Sequence, residues 1–272
     1  MAKERILITV KTYPTLSSKY DETVCTAGIK EDGSWIRIYP ISFRKLDEFE
    51  RYKKFNWIEV NVERNLSDTR PESHKLKSSI NIIGEASTKS DWRERNKIIL
   101  EKGKVFRNFD EIISLNKGDQ HLSLATFKPS AIIDLDIEAT EREWDKNKLA
   151  AIQAKAKQDD FFQKSDEYFK VAKKLPYNFK YVFKDETGKK RSLSINDWEI
   201  GALYWNELKR KNGDEAKTIE SVKNKYLKDL VQGRDIHFFV GTTYSQDNKN
   251  APNPFTIIGV YSPPEIKQGT LF

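Results

Sequence analysis

The chain has 272 residues, of which 38% are hydrophobic, 12% aromatic and 33% charged. These values exclude a disordered chain and suffice for one large domain or two small ones with real cores. No apolar run approaches the roughly 20 residues that span a bilayer, the first residues lack the apolar segment of a signal peptide, and the single cysteine excludes an internal disulfide. We therefore expect a cytoplasmic protein that does not associate with membranes.

The net charge of +7 is unevenly placed along the chain. Residues 1–145 contain 25 Lys and Arg and 25 Asp and Glu, whereas residues 146–272 contain 23 and 16. A positive field in the second half favours an anionic partner such as nucleic acid. Lysine-rich solvated helices would give the same count without any partner, so both interpretations stay open.

The first 85 residues predict five strands and one short helix. The strands are expected at 5–11, 24–29, 34–39, 57–62 and 79–84, and the helix at 43–54. Asp32-Gly33 predicts a tight turn between the second and third strands, because Gly adopts positive φ at no steric cost. A small, strongly curved β-barrel is the economical way to bury such strands, and the five-stranded OB type is one candidate.

The middle of the chain predicts three helices and two further strands. The helices are expected at 90–101, 108–115 and 144–162, and the strands at 122–127 and 131–139. We assign residues 1–143 to a first lobe with a helical insertion. Residues 144–175 are expected to form a helical linker between the two lobes.

A second lobe is predicted at 176–264. It contains a hairpin at 177–195, two helices within 196–230 that begin with Asn196 as N-cap, and strands at 236–241 and 255–260. A tail, 265–272, follows. The predicted fold class is thus α+β, with two lobes built on small OB-like antiparallel β-barrels or curved sheets with helical insertions.

The strand predicted at 34–39 alternates with a period of two. Ile36 and Ile38 point to one face, and the other face carries Trp35, Arg37 and Tyr39. An aromatic, a cation and an aromatic on one strand face are suited to stacking bases and contacting a phosphate. The alternative is an amphipathic strand whose second face lies under a helix or loop.

Two segments of the chain resemble a known family. Val24-Cys25-Thr26-Ala27-Gly28-Ile29, followed by Gly33-Ser34-Trp35-Ile36-Arg37, resembles a signature of the bacterial "dual OB" proteins, and Phe255-Thr256-Ile257-Ile258-Gly259-Val260 is similar to their closing strand. The resemblance implies two OB-like barrels. It also implies a role in nucleic-acid handling, often in defence or conflict gene clusters.

Basic and aromatic positions are better candidates for binding than for catalysis. In the first lobe, the candidates near the hairpin are Lys11, Tyr13, Trp35, Arg37, Tyr39 and Arg44. In the second lobe, the candidates at a hairpin tip are Lys189, Lys190 and Arg191. Such positions suit contacts with phosphates and bases, and the alternative for each is a solvated turn.

Signals for catalysis are sparse. The three histidines, His74, His121 and His237, lack metal-ligand spacing, and no phosphate-binding loop is present, so we expect no metal and no cofactor. Asp134, Asp136 and Glu138 alternate along a strand and would suit Mg²⁺-dependent phosphodiester cleavage. The alternative is a solvated strand face, because nuclease sites usually add a lysine and carboxylates from other strands.

The C-terminal tail carries a short motif. Gln268, Leu271 and Phe272 resemble the Gln-x-x-Leu-Phe peptide that docks on the bacterial sliding clamp. The alternative is a tail that folds back on its own core. The leading hypothesis from the sequence is a non-catalytic accessory protein that binds DNA or RNA, in phage defence or DNA maintenance. A Mg²⁺-dependent nuclease and a protein-interaction module acting through the tail are the alternatives.

Overall fold

The computed structural model describes residues 2–17, 21–159, 171–243, 246–247 and 251–265. The motif at Gln268, Leu271 and Phe272 lies outside the described residues. Within the described part, no helix has both the length and the apolar character that crossing a membrane requires.

The N-terminal part of the chain forms a closed barrel. Its strands are β1 (Ala2–Lys11), β2 (Thr15–Ser17), β3 (Asp21–Lys30), β4 (Trp35–Ile41), β5 (Asn56–Arg64), β6 (Ser73–Leu76) and β7 (Asn81–Glu85). The barrel runs β1–β3–β4–β6–β5 and closes by a second pairing of β1 with β5. All of these pairings are antiparallel except β4 with β6. This is the five-stranded OB arrangement, with β2 and β7 as additions.

The first strand serves two neighbours because it is long. Residues 2–7 of β1 pair with β5, residues 6–11 pair with β3, and the register shifts between Ile8 and Val10. The inward-facing set of the barrel is strongly apolar and includes Ile36 and Ile38, as the alternation of β4 predicts. The turn at Gly33 has φ +89°, which is also as predicted.

The remainder of the chain forms a second barrel with helices attached. Its strands are β8 (Val105–Phe106), β9 (Leu124–Phe127), β10 (Ala131–Ala139), β11 (Tyr177–Lys184), β12 (Lys190–Ser194), β13 (His237–Thr242) and β14 (Phe255–Tyr261). The α-helices are α1 (Lys89–Asn96), α2 (Phe109–Lys117), α3 (Lys146–Asp159), α4 (Trp198–Arg210) and α5 (Glu215–Asn224).

The second barrel repeats the strand order of the first. Strands β9 and β10 are separated only by Lys128-Pro129-Ser130 and together act as one bent first strand. Of its two parts, β9 pairs with β13 and β10 pairs with β11. The order continues β11–β12, then β14 and β13. One parallel bridge, Ile195 to Ile257, joins β12 to β14, and the Asn196 amide donates to the Ile257 carbonyl at 2.7 Å. The second half therefore follows the OB strand order as two sheets, β10–β11–β12 and β14–β13–β9–β8, which this bridge joins, and it is called the second barrel on that basis.

The boundary between the barrels differs from the predicted one at residue 143. Because β9 and β10 pair with β13 and β11, residues 122–139 belong to the second barrel. Alternating hydrophobicity identifies a strand but does not name its partner, which explains the difference. Residues 144–175 follow β10 in the chain and precede β11, and these two strands pair with each other.

Two helix starts also differ from expectation. Ser90, where the helix at 90–101 is predicted to begin, instead starts a left-handed turn, since Ser90, Asp91 and Trp92 have φ between 53° and 64°. A π-helical turn, Lys97–Lys102, follows α1 and ends at Gly103. In α4 the N-cap is Asp197, whose side chain accepts from the Glu199 amide at 3.3 Å, one residue after the predicted Asn196.

The barrels pack through their outer faces. A shared apolar cluster combines Leu7, Ala27 and Ile29 of the first barrel with Phe239 and Ile258 of the second. The outer face of β3 and β4 is thereby covered by β13 and β14. In an OB barrel the second and third strands form the usual ligand face, so in the first barrel that face is used for packing.

Candidate nucleic-acid interface

Two residues of the predicted strand face, Trp35 and Arg37, lie against the second barrel. Arg37 is only 1% exposed, and its guanidinium donates to the Ser123 hydroxyl at 2.7 Å and to the Ser123 carbonyl at 3.1 Å. Trp35 is half-buried, edge-on to Phe239 at 5.5 Å between ring centroids. The structure thus agrees with the alternative interpretation, an amphipathic strand with both faces packed. In this arrangement Arg37 has no access to a phosphate.

Lys11 and Arg44, predicted as phosphate contacts, also take part in internal packing. The Lys11 ammonium lies 4.1 Å from the centre of the Phe43 ring and 4.4 Å from that of Trp198, and burial lowers the pKa of Lys11 to about 8. Arg44 pairs with the buried Glu22 at 2.9 Å. Both cations therefore already have partners within the protein.

Tyr13 fastens the first barrel to the second. Its hydroxyl accepts from the Trp205 indole at 2.8 Å and donates to the Lys173 carbonyl at 2.7 Å. Its ring fills the space beside Gly201 on α4, where any Cβ would collide with it. Tyr39, the last predicted residue of this group, is half-buried, with its hydroxyl 3.5 Å from that of Thr23.

Of the three cations predicted at the hairpin tip, two form ion pairs in the structure. Lys189 pairs with Asp110 at 3.1 Å, while Arg191 pairs with Asp110 at 2.8 Å and with the buried Asp185 at 2.7 Å. Hydrogen bonds from Arg191 and Lys189 lower the pKa of Asp110. Arg191 and Lys189 therefore fix the hairpin to α2, and of the predicted three only Lys190 points to solvent without an ion pair among the described residues.

Lys190 has a basic neighbour that the sequence prediction did not include. Lys184 stands directly opposite it in the β11–β12 register, and both side chains are exposed. Side chains in such positions are about 5 Å apart at Cβ, and like charges there are mutually destabilising. Neither lysine makes an ion pair within the described part of the chain, so a bound anion would relieve their repulsion.

A polar strip continues from this lysine pair along the outer face of β11 and β12. Phe179, Tyr181 and Phe183 point inward, so the alternate positions point outward. The outward residues, apart from Val182, are polar or basic: Asn178, Lys180, Lys184, Lys190, Ser192 and Ser194. Lys180 pairs with Glu138 at 2.7 Å. These strands are the second and third of their barrel, which makes the strip the counterpart of the face that is covered in the first barrel.

A cleft of about 280 Å³ opens where the strip meets the seam between β12 and β14. Its walls come from β11, β12, β14 and the loop between β13 and β14: Asn178, Ser192, Leu193, Ser194, Asn196, Thr243, Gln246, Asn253, Phe255 and Thr256. The seam is held by the Thr256 hydroxyl, which donates to the Ser194 carbonyl at 2.6 Å and accepts from the Asn196 amide group at 3.3 Å. The loop between the fourth and fifth strands is a usual ligand contact of OB barrels.

Two of the three carboxylates considered for a nuclease are already engaged in ion pairs. Asp134 pairs with Lys223 at 3.0 Å, which lowers its pKa through that hydrogen bond, and Glu138 pairs with Lys180. Asp136 lies opposite Lys180 in the β10–β11 register. Among the described residues, no group of three or more His, Cys, Asp or Glu side chains is arranged to hold a metal ion.

Comparison with known proteins agrees with the two-part fold. The family model "Domain of unknown function (DUF8758)" matches residues 2–101, and "Domain of unknown function (DUF8757)" matches residues 106–272. Because the second match covers more than half of the chain, the chain belongs to the DUF8757 family. The division between the matches falls where the strand pairings separate the barrels.

Two solved structures show a distant likeness. A murine DNA-binding protein bound to double-stranded DNA is 7% identical with a TM-score of 0.32, over 99% of this chain and 100% of that chain. The tetrameric p202 HIN2 is 8% identical with a TM-score of 0.28, over 72% of this chain and 71% of that chain. Likenesses this low establish neither a shared fold nor a shared function. No curated protein sequence matches the chain.

Proposed function

We propose that this protein binds nucleic acid through the outer β11–β12 face of its second barrel, without catalysis. The observation that carries the proposal is the exposed pair Lys184 and Lys190, which lacks a counter-ion among the described residues and begins a polar strip on that face. Cations placed to meet phosphates supply most of the sequence-independent affinity for nucleic acids.

The packing of the two barrels supports the same face. The corresponding face of the first barrel, on β3 and β4, is covered by the second barrel. Net charge does not distinguish the barrels, since residues 1–105 contain 21 Lys and Arg and 16 Asp and Glu, and residues 106–272 contain 27 and 25. A single binding face on the second barrel therefore rests on the packing and on the exposed lysine pair.

The test is fluorescence anisotropy with labelled single- and double-stranded DNA and RNA across a salt series. The variant Lys184→Gln/Lys190→Gln should bind more weakly, and the slope of log K against log [salt] should become shallower by about 1.5, because two phosphate contacts are lost. Lys89→Gln/Lys97→Gln is the matched control, since it removes the same charge from two exposed lysines, one on α1 and one on the π-helical turn that follows it. Equal slopes for the two variants would contradict the proposal.

The finer predictions from the sequence remain proposals. A role in phage defence or DNA maintenance follows only from the family resemblance. Docking on the sliding clamp through Gln268, Leu271 and Phe272 is tested by deleting residues 268–272 and measuring clamp pull-down. Unchanged pull-down would contradict docking through the tail.

A further inference from the structure

The cleft beside the lysine pair differs from it in chemistry. Eight of its ten lining residues carry a hydroxyl or carboxamide, two are apolar, and none is charged. A phosphate binds more strongly to the two nearby lysines than to neutral donors, because charge-assisted hydrogen bonds are the stronger ones. The cleft is instead suited to a neutral group that has both donors and acceptors.

Two of the cleft amides are available for a ligand. Neither the Asn178 nor the Gln246 side chain makes a hydrogen bond within the described part of the chain, although each lines the cleft from a different element. A carboxamide presents a donor and an acceptor side by side, and this pairing matches the edge of a nucleobase.

The size of the cleft selects an unpaired base. About 280 Å³ lies just below the range of pockets that hold drug-sized ligands, so it accommodates one base and not a duplex. An unpaired base can be turned outward and read on its Watson–Crick edge, which is occupied by the partner base in a duplex.

The distance to the lysine pair fits one nucleotide. Lys190 precedes Ser192 by two residues on the same strand face, a separation of roughly 6.6 Å. We propose that the cleft reads the edge of one unpaired base while Lys184 and Lys190 hold the adjoining phosphate. This inference rests on the proposed function, because it assigns a base subsite to the same face.

The experiment measures the affinity of the full-length protein for single-stranded dA, dC, dG and dT homopolymers and for a duplex. We expect tighter binding to single strands and a preference of at least about fivefold for one base. Asn178→Ala and Gln246→Ala should each reduce that preference and leave the salt slope unchanged, whereas Lys184→Gln/Lys190→Gln should make the slope shallower and keep the preference. Asn81→Ala on the exposed β7 is the matched control.

The outcomes separate the two proposals. Binding with equal affinity for all four homopolymers, or tighter binding to the duplex, would overturn the base subsite and leave nucleic-acid binding in place. If Asn178→Ala changes the ratio of RNA to DNA affinity and no base is preferred, the cleft contacts the sugar. That result would also overturn the base subsite. No binding to any nucleic acid would overturn the proposed function itself. Unchanged circular dichroism confirms that each variant is folded.

Discussion

A buried ion pair joins the two barrels, and removing its cation should cost much of their mutual stability. The Lys54 ammonium, 6% exposed, lies 2.7 Å from Asp197, which is fully buried, and 2.9 Å from Glu199. Lys54→Met would leave the Asp197 carboxylate buried without its partner. Breaking such a pair costs about 3–5 kcal/mol, because the remaining charge is neither hydrated nor compensated. Urea unfolding at pH 7.5 measures this loss.

The same variant should show a characteristic pH dependence. Burial raises the pKa of Asp197 to about 6 from its ordinary value of 3.8, even though Lys54 opposes that rise. Without Lys54 the pKa of Asp197 should rise further. A carboxyl that binds its proton more tightly when folded loses stability as the pH rises from its unfolded to its folded pKa. The variant should therefore regain about 1.4 kcal/mol per pH unit as the pH falls through that window toward 4.

The control for this experiment is Lys104→Met. Lys104 pairs with Glu111 at 2.9 Å, but its side chain is largely exposed, so the loss should stay below about 1 kcal/mol at every pH. A loss for Lys54→Met that equals the loss for this control, or one that does not shrink on acidification, would refute the assignment of a charged inter-barrel pair.

Two further variants test how the barrels fit together. Gly201→Ala should lower the free energy of unfolding by about 1–3 kcal/mol, because the new Cβ collides with the Tyr13 ring. Gly84→Ala, whose new Cβ meets no atom within 4 Å, should change it little. Thermal melts compare the two variants. Arg37→Met should lower the melting temperature because the bonds to Ser123 are lost, yet it should leave the salt slope of nucleic-acid binding unchanged. A shallower slope for Arg37→Met would return Arg37 to the binding face.

In this protein the sequence predicts which segments form strands better than it predicts which strands pair and which faces are covered. The inward set of β4, with Ile36 and Ile38, follows from a period of two and is confirmed. The same period places Arg37 on the opposite face but cannot say whether water or a second barrel covers that face. Likewise, the alternation at 131–139 identifies β10, while its pairing with Tyr177–Lys184 depends on closing a loop of nearly forty residues.

The candidate site was only partly accessible to sequence reasoning for a related reason. The sequence predicts Lys190 because it lies in a basic run at the tip of a predicted hairpin. Lys184 and Asn178 required the register of β11 with β12, because only that register shows which outward side chains face each other. Gln246 reaches the cleft from a loop between β13 and β14, a juxtaposition that depends on barrel closure and leaves no periodic signal in the sequence.

The arrangement of the barrels explains why, among the described residues, unpaired lysines lie on only one of the two corresponding strand faces. Two similar barrels each present an outer face on their second and third strands, but packing one barrel against the other consumes the face of the first. A buried face cannot carry unpaired cations, since an uncompensated buried charge is costly. Its cation, Arg37, is accordingly enclosed by hydrogen bonds to Ser123. Only the exposed face of the second barrel can keep lysines without partners, and Lys184 and Lys190 are found there.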